Sequence, residues 1–299
     1  MPAIRRERIE RSIRAPTPIV RIAEPSTTPY EDPLVRIDWS GVARDCWWLP
    51  PETLSLAGVS EFEALPLESR RRLSHYEYAH LLEIGIWLEA LFVERLARLV
   101  RRTRDFERCS RYLQEIREEA GHSLMFVELA RRSGVALPAR RGVGLRLVEA
   151  LGHGVASGSA LFWAMVVIGE ELPYRLTRQL ERGVEEVTLS AVVYRIAQLH
   201  VRDEASHASY ARLRCEEETI RIPRWRRALL SPALKRALNA FSTLVYFPPT
   251  AVYRCAGLPP ATRWRSLALR NAARRQQVDA MLRPTVEFLR RLGWSVSNP

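Results

Sequence analysis

Lysine is almost missing from this chain: Lys235 is the single lysine among 46 Lys and Arg residues. Cysteine is scarce as well. Cys46, Cys109, Cys215 and Cys255 are scattered with no Cys-x-x-Cys pair. That excludes a disulfide framework, an iron–sulfur cluster and a structural zinc site, and it suits thiols kept reduced in the cytoplasm. Apolar runs of about 18 residues or more are lacking, so no membrane span is expected. The basic N-terminus has no apolar stretch behind it, so no secretory signal is expected either. Alternating strand patterns, internal repeats and glycine-rich phosphate loops are also absent, which leaves an all-α chain.

What remains is a chain of 299 residues, 47% hydrophobic and 27% charged, long enough to bury one large core and expected to be globular and soluble. A net charge of +12 and a pI near 10.3 raise the question of nucleic acid. The arginines, however, are spread along helices rather than gathered in one stripe. A solvated arginine-rich surface is the preferred reading, with a docking face for an acidic protein as the sharper one. Neither a nucleic-acid nor a membrane partner is expected.

Residues 1–45 carry Arg5, Arg6, Arg8 and Arg11, then Pro16, Pro18, Pro25, Pro29 and Pro33, and are expected to form an irregular N-terminal arm. Trp47, Trp48, Pro50 and Pro51 form a loop anchoring that arm to a helical domain over residues 46–299, whose last part is a C-terminal extension. Periodicity predicts helices over residues 67–102, 106–133, 145–182 and 187–218, then 232–244 and 260–292. The second ends at Ser133-Gly134, the third is interrupted between Gly152 and Gly158, and Pro173 should kink it.

Two motifs on these helices carry the chemistry. One is Glu119-Ala-Gly-His122 and the other is His200-Val-Arg-Asp-Glu204-Ala-Ser-His207. At about 100° per residue, positions i, i+4 and i+7 return to within about 40° of one another, so His200, Glu204 and His207 form one stripe. Two facing Glu-x-x-His motifs, with one Glu from each of two further helices, make the di-iron or di-manganese site of a ferritin-like bundle. On the first helix Glu83, Glu89 and Glu94 compete. Glu89 is preferred because it shares its face with Leu82, Ile86, Phe92 and Leu96, where an unpaired carboxylate is costly. Glu94 stands beside Arg95 and Arg98 and reads as a surface ion pair. On the third helix Glu170 shares a stripe with Trp163, Val166 and Val167. Glu171 shares one with Arg175, Arg178 and Arg182, which reads as a solvated face, so Glu170 is preferred and Glu171 kept in reserve. Carboxylate and imidazole together suit iron or manganese. Glu118 and Asp203 each precede a motif Glu and are placed to bond a histidine of the opposite motif. His75, His80 and His153 read as ordinary residues.

The extra histidine of His-x-x-x-Glu-x-x-His resembles the non-haem diiron N-oxygenases of the p-aminobenzoate N-oxygenase type. The resemblance covers about residues 75–215, and Val252-Tyr-Arg-Cys-Ala-Gly-Leu258 is similar too. It implies a ferritin-like helical bundle with a dinuclear iron site. Glu89, Glu119, His122, Glu170, His200, Glu204 and His207 match the ligand pattern. It further implies two iron ions that react with dioxygen through a peroxo-diiron intermediate, and an external electron-donor protein. The expected reaction converts a small-molecule amine to hydroxylamine, nitroso or nitro products in secondary metabolite biosynthesis. Two alternatives stand beside it: a diiron hydroxylase whose aminoacyl substrate hangs from an acidic carrier protein, and a non-catalytic basic helical interaction protein. A homodimer is compatible with either enzyme.

Overall fold

Capping chemistry sets the ends of the helices. In the computed structural model, which describes residues 30, 32–42, 45–136, 143–182 and 189–297, ten α-helices follow one another. A one-turn α1 (Ser60–Glu63) precedes the long α2 (Leu67–Val100), which starts behind Pro66 with Glu68 in its first turn. The Asp105 side chain accepts bonds from the amides of Glu107 and Arg108 to start α3 (Phe106–Ser133), and Gly134, at φ 62°, ends it in the left-handed region. Then come α4 (Val143–Gly154), α5 (Ala160–Arg182) and α6 (Ala191–Ile220), with Ser159 Oγ accepting from the amide of Phe162 at the start of α5. The chain continues through α7 (Arg224–Tyr246), α8 (Thr250–Cys255), α9 (Ala261–Arg270) and α10 (Ala272–Arg291).

Helix α2 packs on α3 and α5 on α6, and the two hairpins meet where α3 touches α6. This is the four-helix core of a ferritin-like bundle. Helix α7 covers α4 and α5, α10 lies on α5, and α8 lies on α2. One apolar cluster joins α2, α5, α7 and α10 through Trp163, Leu172, Leu238 and Leu282. The other joins the loop before α1 to α2, α6 and α8 through Trp48, Leu73, Val193 and Tyr253. Each such side chain contributes about 1.5–3 kcal/mol on burial. No strand occurs among the described residues, where Trp47 and Leu189 form an isolated bridge. No described helix is long and apolar enough to cross a membrane.

Most of the expected N-terminal arm lies outside the described residues. Of its described part, Asp38 caps the turn Trp39–Gly41, and Trp39 Nε1 donates to the carbonyl of Leu34 at 2.9 Å. Trp47 and Trp48 are buried, as an anchoring loop requires. The break between Gly152 and Gly158 is present, dividing the expected third helix into α4 and α5. Two boundaries differ from expectation. The helix expected from residue 232 begins at Arg224 and runs through Pro232; the carbonyl that Pro232 deprives of a donor belongs to Ala228, an exposed position open to solvent. The helix expected over 260–292 is two helices, divided at Asn271, whose side chain caps α10 by accepting from the amide of Arg274.

Candidate metal centre

Four helices converge on one buried cluster of carboxylates and imidazoles. Glu89 comes from α2, Glu119 and His122 from α3, Glu170 from α5, and His200, Glu204 and His207 from α6. All seven are less than a tenth exposed. They fall into two groups, Glu89–His122–His200 and Glu119–Glu170–Glu204–His207, each with ligand atoms within 4.8 Å of one another. Between the groups, His122 Nδ1 lies 3.4 Å from Glu204 Oε1, and His200 Nε2 lies 3.4 Å from the same oxygen. His207 Nδ1 stands 3.1 Å from Glu119 Oε1 and 3.6 Å from Glu204 Oε1. A shared central carboxylate between two donor groups is an arrangement for two cations.

The alternatives on α2 and α5 lie elsewhere. Glu94 pairs with Arg98 on the surface, while Arg95, expected beside it, is buried and donates to the carbonyls of His153 and Val155. Glu171 is not on a solvated face. It is 2% exposed and holds Arg175 at 3.0 Å, Arg212 and the Thr285 hydroxyl, tying α5 to α6 and α10. His80 is a core histidine bonded to the carbonyl of Leu244 at 2.9 Å, and burial pushes it down to about 4.

The expected cross-motif bonds are present. His207 Nε2 donates to Glu118 Oε2 at 2.9 Å and His122 Nε2 reaches Asp203 Oδ2 at 3.4 Å, so each ring turns its Nδ1 into the cluster. The arm's described end lies on the same helix. Gly121, inside the first motif, has no side chain, and a Cβ there would come within 3.1 Å of both Pro33 and the Tyr30 hydroxyl. Three further residues support the cluster: Ser123 and Arg111, which the sequence did not single out, and Glu115, which register sets aside as a ligand because only Glu119 stands three residues before His122. The Ser123 hydroxyl donates to Glu89 Oε2, Glu115 is buried one turn before Glu119, and Arg111 clamps Glu115 at 2.8 Å while donating to Ser206 at 2.9 Å. Glu115 had a signal in the sequence, since it lies four residues before Glu119 on the same face.

The electrostatics describe a site built around positive charge. Burial raises Glu170, and the adjacent Glu204 and Glu119 carboxylates hold it well above the usual range. Burial also raises Glu89, with His200 and His122 opposing it. For His122 burial works downward, but Asp203, Glu119 and Glu204 outweigh it and keep the ring well above its ordinary value. His207 is raised in the same way by Glu118, Glu119 and Glu204. Glu89 Oε1, His122 Nδ1 and His207 Nδ1 are buried and make no hydrogen bond. Buried polar atoms that make no hydrogen bond are costly, and coordination satisfies all three at once. Hard carboxylate oxygens mixed with imidazole nitrogens suit iron or manganese, so the donor set fits a dinuclear centre.

A narrow cavity of about 70 Å³ opens from the cluster between α2 and α5. Glu89, Glu119, Glu170, His200 and Glu204 form one end, and the wall is mainly apolar, with leucine its commonest residue. Phe92 lines it, whereas Phe162 and Trp163 line a second space of about 10 Å³ beside Glu170 and His207, enough for about one water.

Comparison with known proteins agrees with this geometry. The family described as p-aminobenzoate N-oxygenase AurF matches residues 17–293. Two proteins named as uncharacterized, Mb0909 of Mycobacterium bovis and Rv0885 of Mycobacterium tuberculosis, are each 24% identical over 253 residues, covering 81% of this chain and 72% of theirs.

Proposed function

This chain belongs to the p-aminobenzoate N-oxygenase (AurF) family of ferritin-like diiron oxygenases, and from that premise we propose that it inserts oxygen into the nitrogen of a small-molecule amine. The family makes the protein a diiron oxidoreductase. The observation that supports the finer reading is the apolar cavity ending on the carboxylate–imidazole cluster, which gives an amine a dry approach to the reacting centre.

In this reading Glu89, Glu119, His122, Glu170, His200, Glu204 and His207 hold two irons, which supply the activation of dioxygen. The chain's own residues do the rest. Glu118 and Asp203 hold the outer nitrogens of His207 and His122, fixing the tautomers that leave each Nδ1 free for metal. Ser123 fixes the rotamer of Glu89. The cavity wall excludes water and holds the amine nitrogen at the cluster end. In the first turnover R–NH2 gains one oxygen atom to become R–NHOH. The second oxygen leaves as water, with two electrons from an external donor and two protons. Further oxidation leads to nitroso and nitro products, as secondary metabolism in the cytoplasm would use. The carrier-tethered alternative is supported by the net charge of +12, and it predicts binding that weakens steeply with salt.

Iron content and the reaction of the reduced protein with dioxygen test the proposal. Two irons per chain, oxygen uptake and hydroxylamine formed from an amine panel are expected. A protein purified from iron-replete cells that holds no metal and takes none up anaerobically would leave a basic interaction bundle instead.

A further inference from the structure

We infer that the cavity is a slot selecting an aryl amine with a slender, uncharged, apolar tail, and that it disfavours an amine bearing a carboxylate; the inference rests on the oxygenase reading for which end receives the nitrogen. Two antiparallel helices set its length. On α2 it runs from Glu89 back to Tyr78, and on α5 from Glu170 forward to Leu180. At about 1.5 Å per residue the two spans are about 15–17 Å, and a volume of about 70 Å³ over that length makes the space slender.

Its chemistry is uniform away from the cluster. Leu81, Leu82, Leu88, Leu176, Phe126 and Val245 supply hydrocarbon. Among the described lining residues Tyr78 and Thr177 are the polar ones beyond the cluster, and no arginine or lysine is present. Thr177 Oγ1 already donates to the carbonyl of Pro173 at 2.8 Å. The arginines of the same stretch of α5 are engaged elsewhere: Arg175 binds Glu171, and Arg178 lies over the Tyr174 ring at 5.9 Å. With its amine nitrogen at the cluster, a substrate carrying a carboxylate would bury that group against the hydrocarbon of the wall, where no described lining residue is a cation. An aryl amine is uncharged at neutral pH and sheds its water at far lower cost.

Two glycines keep the slot open. A Cβ at Gly169 would lie 2.5 Å from Phe92 Cζ, and one at Gly85 would lie 2.7 Å from Phe126 Cε2. Both rings line the cavity, so their seating against bare backbone sets the width available to a tail.

Calorimetry on the iron-loaded, oxidised protein, without turnover, tests this with aniline, 4-butylaniline and 4-aminobenzoate. The expected order has 4-butylaniline at least about ten-fold tighter than both others. A 4-aminobenzoate affinity equal to or above that of 4-butylaniline overturns the inference. Thr177→Phe, at a partly exposed wall position two turns from Glu170, should abolish the advantage of the butyl group and leave aniline within about two-fold. An undiminished butyl advantage in a folded variant also overturns it. The wild-type order decides the matter by itself if Thr177→Phe fails to fold. A protein that binds in the expected order yet consumes no dioxygen refutes the oxygenase reading and leaves the slot standing.

Discussion

Histidine orientation is the property on which single residues act most directly here. Glu118 holds His207 at 2.9 Å and Asp203 holds His122 at 3.4 Å, and both lie outside the two donor groups. Removing such a partner typically costs about 10- to 100-fold in metal affinity. Glu118→Ala and Asp203→Ala should therefore load less iron in competition with a chelator, with Glu118→Ala the more severe because its bond is shorter. Unchanged iron content in both would show that the rings are held by packing alone. Glu171→Ala supplies the contrast. Its carboxyl is buried, and Arg212, Thr285 and Arg175 outweigh that burial to hold it below the usual range, so deletion should cost about 3 kcal/mol in urea unfolding while iron content stays at the wild-type level. A depressed carboxyl stabilises the fold above its unfolded value and loses that contribution as pH falls through its folded value, so the two proteins should converge in acid. Five of the seven cluster residues were legible from the spacing of the two motifs, and Glu89 and Glu170 because each is a carboxylate on an otherwise apolar stripe. Glu171 was misread because three arginines on its own helix mimic a solvated face. What covers that face is Thr285 and Phe288 of α10, a tertiary event that periodicity within α5 does not report.

Among the elements, α3 and α6 carry five of the seven cluster residues, so their registers decide whether a site forms. The ends of α3 are set by local chemistry. Asp105 binds two first-turn amides, and Gly134 takes the left-handed conformation that other residues adopt at a cost. Asp105→Ala should cost about 1 kcal/mol in thermal or urea unfolding, the usual value of an N-cap, without altering iron content. A loss of iron would mean that the cap controls register as well as stability. Residues 106–133 were predicted from the sequence because helical periodicity and the terminal Ser133-Gly134 pair agree. The C-terminal helices were read less well. Pro232 looks like a break, yet the carbonyl that it deprives of a donor, that of Ala228, lies at an exposed position where water is available, and the division at Asn271 carries no proline or glycine to mark it.

For the whole molecule, the question is whether the helices after α6 are an appendage or a brace. Tyr253 Oη lies 2.8 Å from Ser55 Oγ, which in turn donates to the buried Glu77 of α2. Asn271 Nδ2 donates to the carbonyl of Ala57 at 2.9 Å, and Arg274 Nη1 to that of Thr53 at 2.9 Å. On the opposite hairpin, Tyr246 Oη donates to the carbonyl of Leu172 at 3.0 Å, two residues beyond Glu170. The C-terminal part thus grips both helices that supply a lone glutamate to the cluster, α2 with Glu89 and α5 with Glu170. Those helices have no second cluster residue to fix their registers, whereas α3 and α6 have two and three. A chain cut after Ile222, which removes Tyr246 together with Tyr253, Asn271 and Arg274, should then lose its cooperative melting transition and bind less iron, read by circular dichroism and metal analysis on the same sample. A truncated chain that melts cooperatively and still holds two irons would show that the four-helix core positions Glu89 and Glu170 unaided.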